Sequence, residues 1–228
     1  MSIANNLKMV TDRIASAAKR SGRDFLSVKL VVVTKTVDVD SIREAVDAGA
    51  LILGENRVQE AKEKIEKLGP IASWHLIGHL QTNKAKYAVK LFYLIHSVDS
   101  LELAEEIGRQ AAKLDKVQDV LIEVSIAGEA SKAGVASENA VALVERVAKL
   151  KNISIKGLMT MPPYSLCPED SRPYFKKLRE LSESIARENI PSVSMKELSM
   201  GMSGDFEVAI EEGATMVRVG TAIFGERR

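Results

Sequence analysis

The sequence predicts an α/β protein, a single (β/α)8 barrel with an extra N-terminal helix. Three observations carry this. Short β-branched runs alternate with amphipathic helical stripes about eight times along 228 residues. Each strand-plus-helix unit takes roughly 20–35 residues, which is what parallel crossovers require. No Gly-x-Gly-x-x-Gly follows the first strand, which argues against a doubly wound open sheet. The chain suits one compact barrel domain over 1–228, because no Pro-, Gly- or Ser-rich linker divides it and the units share no repeated sequence.

Ile3, Leu7, Val10, Ile14 and Ala17 step by four and three residues, the apolar stripe of a leading helix that Ser21-Gly22 stops. That helix is expected to cover one end or side of the barrel. Leu30 to Val33 run apolar without a polar break, so a strand buried on both faces is expected over 28–35, ending at Lys35. Val39, Ile42 and Val46 begin a helix ended by Gly49. A second strand over 51–53 is closed by Gly54, and Val58, Ala61, Ile65 and Leu68 mark the helix after it. A third strand over 73–77 is closed by Gly78.

A short helix over 83–89 and a strand over 91–95 follow. Asp99 and Glu102 have capping-box spacing ahead of Ala104, Ile107, Ala111 and Leu114. The next strand, over 117–126, leads into a Gly/Ser/Ala loop, and Val141, Val144, Val147 and Leu150 form a helix stripe. A strand over 153–159 is broken by Met161-Pro162-Pro163, and a helix over 174–188 carries Leu178, Leu181 and Ile185. The last units are a strand over 193–198, a short helix over 205–212 and a strand over 215–219.

Composition narrows the function classes. The 32 basic and 31 acidic side chains nearly cancel, so no field of one sign points to nucleic acid or an anionic membrane. One cysteine, Cys167, excludes an internal disulfide framework and fits a reducing compartment; in its Pro/Ser-containing loop it reads as incidental. No apolar run reaches membrane-spanning length, and the charged N-terminus is not a secretory signal. A cytoplasmic location is expected.

In a barrel, the C-terminal strand ends open on one face, where binding sites are built. Lys35 ends the first strand. Partial desolvation there would favour a neutral amine able to form a Schiff base with a carbonyl; the plainer alternative is a lysine reaching solvent from a strand end. Residues 199–204 are small, hydroxyl-bearing and glycine-rich, and open the short helix at Asp205. Gly220-Thr221 follows the neighbouring strand. Loops after strands seven and eight often form the phosphate site of a barrel, although each alone also reads as a turn. Arg218 interrupts an apolar strand. Buried, it needs a partner, either a carboxylate such as Glu55 or a ligand atom; an arginine facing a pyridine nitrogen would keep that nitrogen unprotonated.

A lysine, a phosphate cradle and an arginine on one mouth suggest pyridoxal 5′-phosphate (PLP). The segments GENRVQEA (54–61), WHLIGHLQTNK (74–84), LSMGMSGDFEVAI (198–210) and VRVGTAIFG (217–225) resemble those of the pyridoxal-phosphate homeostasis protein family, which has the fold of the alanine racemase N-terminal domain. The resemblance covers nearly the whole chain. It implies that Lys35 carries PLP as a Schiff base and that Asn56 lies beside it. Ser199, Gly201, Met202 and Ser203 match the loop around the phosphate, Gly220 and Thr221 its second half, and Arg218 the residue facing the pyridine nitrogen. His79 is not carried over. His75 reads as a satisfied core histidine and Trp74 as core packing, while Met159 is either core or a cofactor contact.

The resemblance further implies a PLP holder of vitamin B6 homeostasis without robust catalysis. It would keep free aldehyde low, affect amino- and keto-acid balance, and have apo PLP-enzymes as candidate recipients. The alternative is a PLP-dependent amino-acid racemase, which in this fold needs a second base, a tyrosine from a second domain. The chain ends at Arg228, just after the last unit, with no second domain, so a monomer is expected. Of its tyrosines, Tyr164 alone sits in a loop that could approach the mouth. A third class is a phosphate-ligand barrel in which Lys35 is only electrostatic.

Overall fold

The protein is seen in a computed structural model that describes residues 2–127 and 133–226. The strands are β1 (Lys29–Val33), β2 (Ile52–Glu55), β3 (Ser73–Leu76), β4 (Leu94–Val98), β5 (Gln118–Ser125), β6 (Val135–Ala136), β7 (Ile153–Met159), β8 (Val193–Met202) and β9 (Met216–Val219). They pair in the order β4-β3-β2-β1-β9-β8-β7-β5, and a β4–β5 pairing closes the ring. Every pairing is parallel, so this is the closed eight-stranded α/β barrel that the alternating units imply. The two-residue β6, absent from the sequence reading, adds only to the edge of β5.

The helices are α1 (Ile3–Arg20), α2 (Val39–Asp47), α3 (Val58–Leu68), α4 (Ala85–Leu91), α5 (Leu101–Ala112), α6 (Ala140–Val147), α7 (Arg172–Arg187), α8 (Phe206–Glu211) and α9 (Thr221–Phe224). The leading helix α1 is capped by the Ser2 hydroxyl and buries Leu7, Val10, Ile14 and Ala17, the stripe its spacing predicts. It packs on α2, α8 and α9, on the flank where the first and last units meet. The Asn6 amide donates to the carbonyl of Ile223 at 2.9 Å and ties the two ends together.

Alternation along the strands sorts the core into two layers. Val31, Val33, Ile77, Leu94, Leu121, Met159 and Met216 fill the barrel interior. Val32, Leu53, Leu76, Ile95, Ile122 and Val219 face outward and meet the helices. Two strands depart furthest from expectation. The strand expected over 91–95 lies at Leu94–Val98: Leu91 still belongs to α4, and His96 and Ser97 are buried strand residues rather than loop. The strand expected to end at 198 runs on to Met202. Part of the Gly/Ser/Ala loop expected after β5, residues 128–132, lies outside the described residues.

Candidate functional site

The carboxyl ends of the strands surround a cavity of about 430 Å³. Lys35, Asn56, Met202, Ser203, Arg218, Gly220 and Thr221 all line it, so seven of the nine positions singled out in the sequence converge. Ser199 and Gly201 do not reach it. Because β8 continues to Met202, Ser199 is a fully buried strand residue below the floor, and Gly201 packs against α8.

Lys35 follows β1 by two residues. Val31 and Val33 point into the barrel, so the same alternation carries Lys35 to the mouth. It is exposed, which corrects the expectation of a desolvated lysine: the strand stops at Val33, and the chain turns at Thr36, whose φ is +58°.

Opposite stands the loop after β8. The Asp205 carboxylate accepts the Met202 amide at 2.7 Å and the Ser171 hydroxyl at 2.8 Å, holding the turn at Ser203-Gly204. The Ser203 hydroxyl accepts the amides of Gly220 and Ala222 at 3.3 and 3.4 Å, so the loops after β8 and β9 are joined at the cavity wall. Amides and hydroxyls gathered on two adjacent loops suit a phosphate.

Arg218 is buried and still reaches the cavity. Its guanidinium donates to the Ser199 hydroxyl at 2.6 Å and to the carbonyl of Thr160 at 2.9 Å, both neutral acceptors. Burial lowers its pKa to about 10, against the opposing charges of Glu123 and Asp205, and it stays cationic. Pairing with Glu55 does not occur. Gly54 faces the barrel interior, so Glu55 faces α3, where it meets Lys64 and Thr34 on the far side of the wall from Arg218.

Beneath the floor a polar chain crosses the barrel. Ser199 Oγ lies 2.9 Å from His96 Nδ1, and His96 Nε2 lies 3.0 Å from His75 Nδ1. His75 stacks on Tyr93 with ring centroids 6.0 Å apart. His75 is thus the satisfied core histidine expected. Trp74 is buried in the outer core, and Met159 is interior packing that does not line the cavity. His79 lies exposed on the rim, 3.6 Å from Asp99.

Sequence reasoning missed His96, Glu123 and Asp205. A signal existed for Glu123, a charged residue inside the apolar run 120–124, the kind of interruption that singled out Arg218; His96, followed by Ser97, reads as the start of a loop. Glu123 shares the interior face of β5 with Leu121. Its Oε2 is buried with no partner among the described residues. Burial, aided by the charge of Asp99 and opposed by Arg218, pushes its carboxyl up to about 7.

The model of the family described as "Alanine racemase, N-terminal domain" matches residues 5–228. The pyridoxal phosphate homeostasis protein of Aquifex aeolicus is 51% identical over 229 residues, covering 100% of both chains. The chain belongs to the pyridoxal phosphate homeostasis protein family. The solved structure of PipY from Synechococcus elongatus, with PLP bound, is 38% identical with a TM-score of 0.83, covering 95% of this chain and 100% of that one. An unknown protein from Bifidobacterium adolescentis is 39% identical with a TM-score of 0.92, covering 97% and 94%. Among the described residues of this family member, no helix is long and apolar enough to cross a membrane.

Proposed function

We propose that this protein holds PLP reversibly as a Schiff base on Lys35 and serves vitamin B6 homeostasis without robust catalysis. One observation carries the reading: the Lys35 amine, the Arg218 guanidinium, the Ser203 and Thr221 hydroxyls and the backbone at Gly220 line one cavity. Its size suits a small cofactor. The residues fit the group, with an amine for the aldehyde, hydroxyls and amides for the phosphate, and a permanent cation for the ring nitrogen. When bound, PLP supplies a reactive aldehyde. Lys35 would supply the nucleophile, Ser203, Gly220 and Thr221 would hold the phosphate end, and Asn56 would lie beside the cofactor. Arg218, which holds its protons, would face the pyridine nitrogen, leave it unprotonated and so weaken the ring as an electron sink. That suits holding over turnover.

The family resemblance and the PLP-bound relative support this reading. It extends to a cytoplasmic, monomeric, one-domain protein over 1–228. This protein would buffer free aldehyde, pass PLP to apo-enzymes and thereby affect amino- and keto-acid balance. A second reading, a PLP-dependent amino-acid racemase, draws on Tyr164, which lines the same cavity as Lys35 and could act as a second base.

The test is a visible spectrum of the purified protein with added PLP, with racemisation of several amino acids assayed on the same sample. A band that borohydride reduction fixes onto Lys35, and that Lys35→Ala abolishes, is expected without turnover. Turnover that Tyr164→Phe removes would favour the racemase. No band at all would defeat both.

A further inference from the structure

Lys35 stands between two residues whose backbone groups are both gripped from behind the barrel wall. Lys64, on α3, donates to the carbonyl of Thr34 at 2.6 Å, to Glu55 Oε1 at 2.7 Å and to Glu60 Oε1 at 2.6 Å. Its three ammonium hydrogens are all spent on these contacts, and its side chain is only 8% exposed. Glu60 Oε1 also accepts the backbone N–H of Thr36 at 2.5 Å. The Thr34 hydroxyl donates to Glu55 Oε1 at 2.6 Å, and the Thr34 carbonyl accepts the Val37 amide at 3.0 Å.

Burial raises the Glu55 carboxyl against the hydrogen bonds from Lys64 and Thr34. Burial also acts to raise Glu60, but the bonds from Lys64 and the Thr36 amide outweigh it and hold that carboxyl below its ordinary value. One ammonium between two acceptors therefore organises the cluster. None of the three side chains lines the cavity.

A buried ion pair that only fastens α3 to the sheet would have no reason to converge on these two backbone groups. The residue before Lys35 is held by its carbonyl, and the residue after it by its amide. The second grip matters because Thr36 is β-branched at φ +58°, a left-handed conformation that such a residue keeps only when its surroundings impose it. If Thr36 relaxed, the exit of the chain from Lys35 would change, and with it the direction of the side chain.

We propose that Lys64, together with Glu60, is a positioning pair for Lys35: it fixes the backbone on both sides of the amine so that the amine is presented to the cavity. This rests on the reading of Lys35 as the Schiff-base lysine. In that step the unprotonated amine adds to the aldehyde carbon. Its two hydrogens and the aldehyde oxygen then leave as water, and a C=N bond forms with no oxidant or reductant. Lys64 touches none of the reacting atoms. It acts by removing alternative directions of approach, and misplacement by about 1 Å slows such steps by up to about 100-fold.

The experiment mixes PLP with the full-length protein and follows growth of the imine band. In parallel it measures affinity for pyridoxine 5′-phosphate, which has an alcohol in place of the aldehyde and reports on the pocket without the covalent step. Lys64→Met is expected to slow band growth about tenfold or more, with pyridoxine 5′-phosphate affinity held within about twofold. Glu60→Ala, at a position 25% exposed where no buried charge loses its last partner, should slow it several-fold even if Lys64→Met does not fold. Lys64→Arg, which keeps the charge and donors, should recover part of the rate. Unchanged rates in both Lys64→Met and Glu60→Ala would overturn the proposal, as would rate and analogue affinity falling together. Failure of the underlying reading shows separately, as an imine band that persists in Lys35→Ala or never forms in the unaltered protein.

Discussion

The Ser199 hydroxyl accepts a hydrogen bond from Arg218 at 2.6 Å while lying 2.9 Å from His96 Nδ1. A guanidinium only donates, so the single proton of Ser199 is free to point at His96. That makes His96 Nδ1 an acceptor and leaves its Nε2–H to donate to His75 Nδ1 at 3.0 Å. Polarity along the chain is set from the cavity floor inward. Ser199→Ala breaks the chain's first two links and leaves a guanidinium N–H and a ring nitrogen buried without partners. A loss of about 1–3 kcal/mol in unfolding free energy is expected, read from urea titrations. A loss below about 0.5 kcal/mol would mean that this chain is not needed for Arg218 to stay buried.

The histidine pair makes the barrel sensitive to acid. Burial holds His75 down to about 3, helped by the charge of Lys29. Burial also drives His96 well below its ordinary value, with His75 and Arg218 adding to it. Between the ordinary value of 6.5 and about 3, the unfolded chain binds a proton at His75 that the folded protein refuses. Stability fully present above pH 6.5 is therefore lost as pH falls through that window, by up to about 5 kcal/mol for His75 alone. Urea titrations between pH 4 and 7 should show this slope, and it should flatten in a His75→Gln, His96→Gln double variant.

Glu123 works in the opposite direction. Its folded carboxyl titrates at about 7 instead of near 4.5, so below pH 4.5 both states hold the proton and it has no effect. As pH rises from 4.5 to 7, the unfolded chain ionises first, and stability declines by about 3 kcal/mol before levelling off. Glu123→Gln removes this decline and should be the more stable protein at pH 8. Should the variant instead lose stability at pH 8, Glu123 would be an ionised partner that Arg218 requires.

The outline of the fold was legible because apolar runs and helical stripes report burial, and burial is what the barrel arranges. Where the reading slipped, polar residues were buried. His96 and Ser97 look like the start of a loop, and that moved the expected β4 three residues early. Ser199 looks like part of a flexible Ser/Gly loop, yet it is interior strand, because its burial is made tolerable by His96, from β4 across the barrel, and Arg218, from the neighbouring β9, and neither pairing shows in the local sequence. The cavity residues of the loops were legible by position at strand ends. Lys64 was not: it reads as one more solvated Lys in a Glu/Lys-rich helix, and only α3 packing behind Thr34 turns it inward.

Gly201, near the end of β8, and Gly204, in the loop after it, should behave in opposite ways. Gly201 sits at φ +90°, and a Cβ built on it would lie 2.5 Å from the Ala209 Cβ and 3.0 Å from the Phe206 Cα. An alanine there meets a left-handed backbone and a helix it must push away. Gly201→Ala should cost about 2–4 kcal/mol, and displacing α8 should also pull Asp205 off the Met202 amide and weaken PLP binding. Gly204, two residues beyond the end of β8 at Met202, has nothing within 4 Å of its Cβ direction. Gly204→Ala keeps its amide and should unfold within about 0.5 kcal/mol of the unaltered protein. Unfolding titrations and PLP binding on both variants separate the two effects. Equal losses of stability would mean that the loop as a whole, rather than the contact between Gly201 and Ala209, needs its glycines.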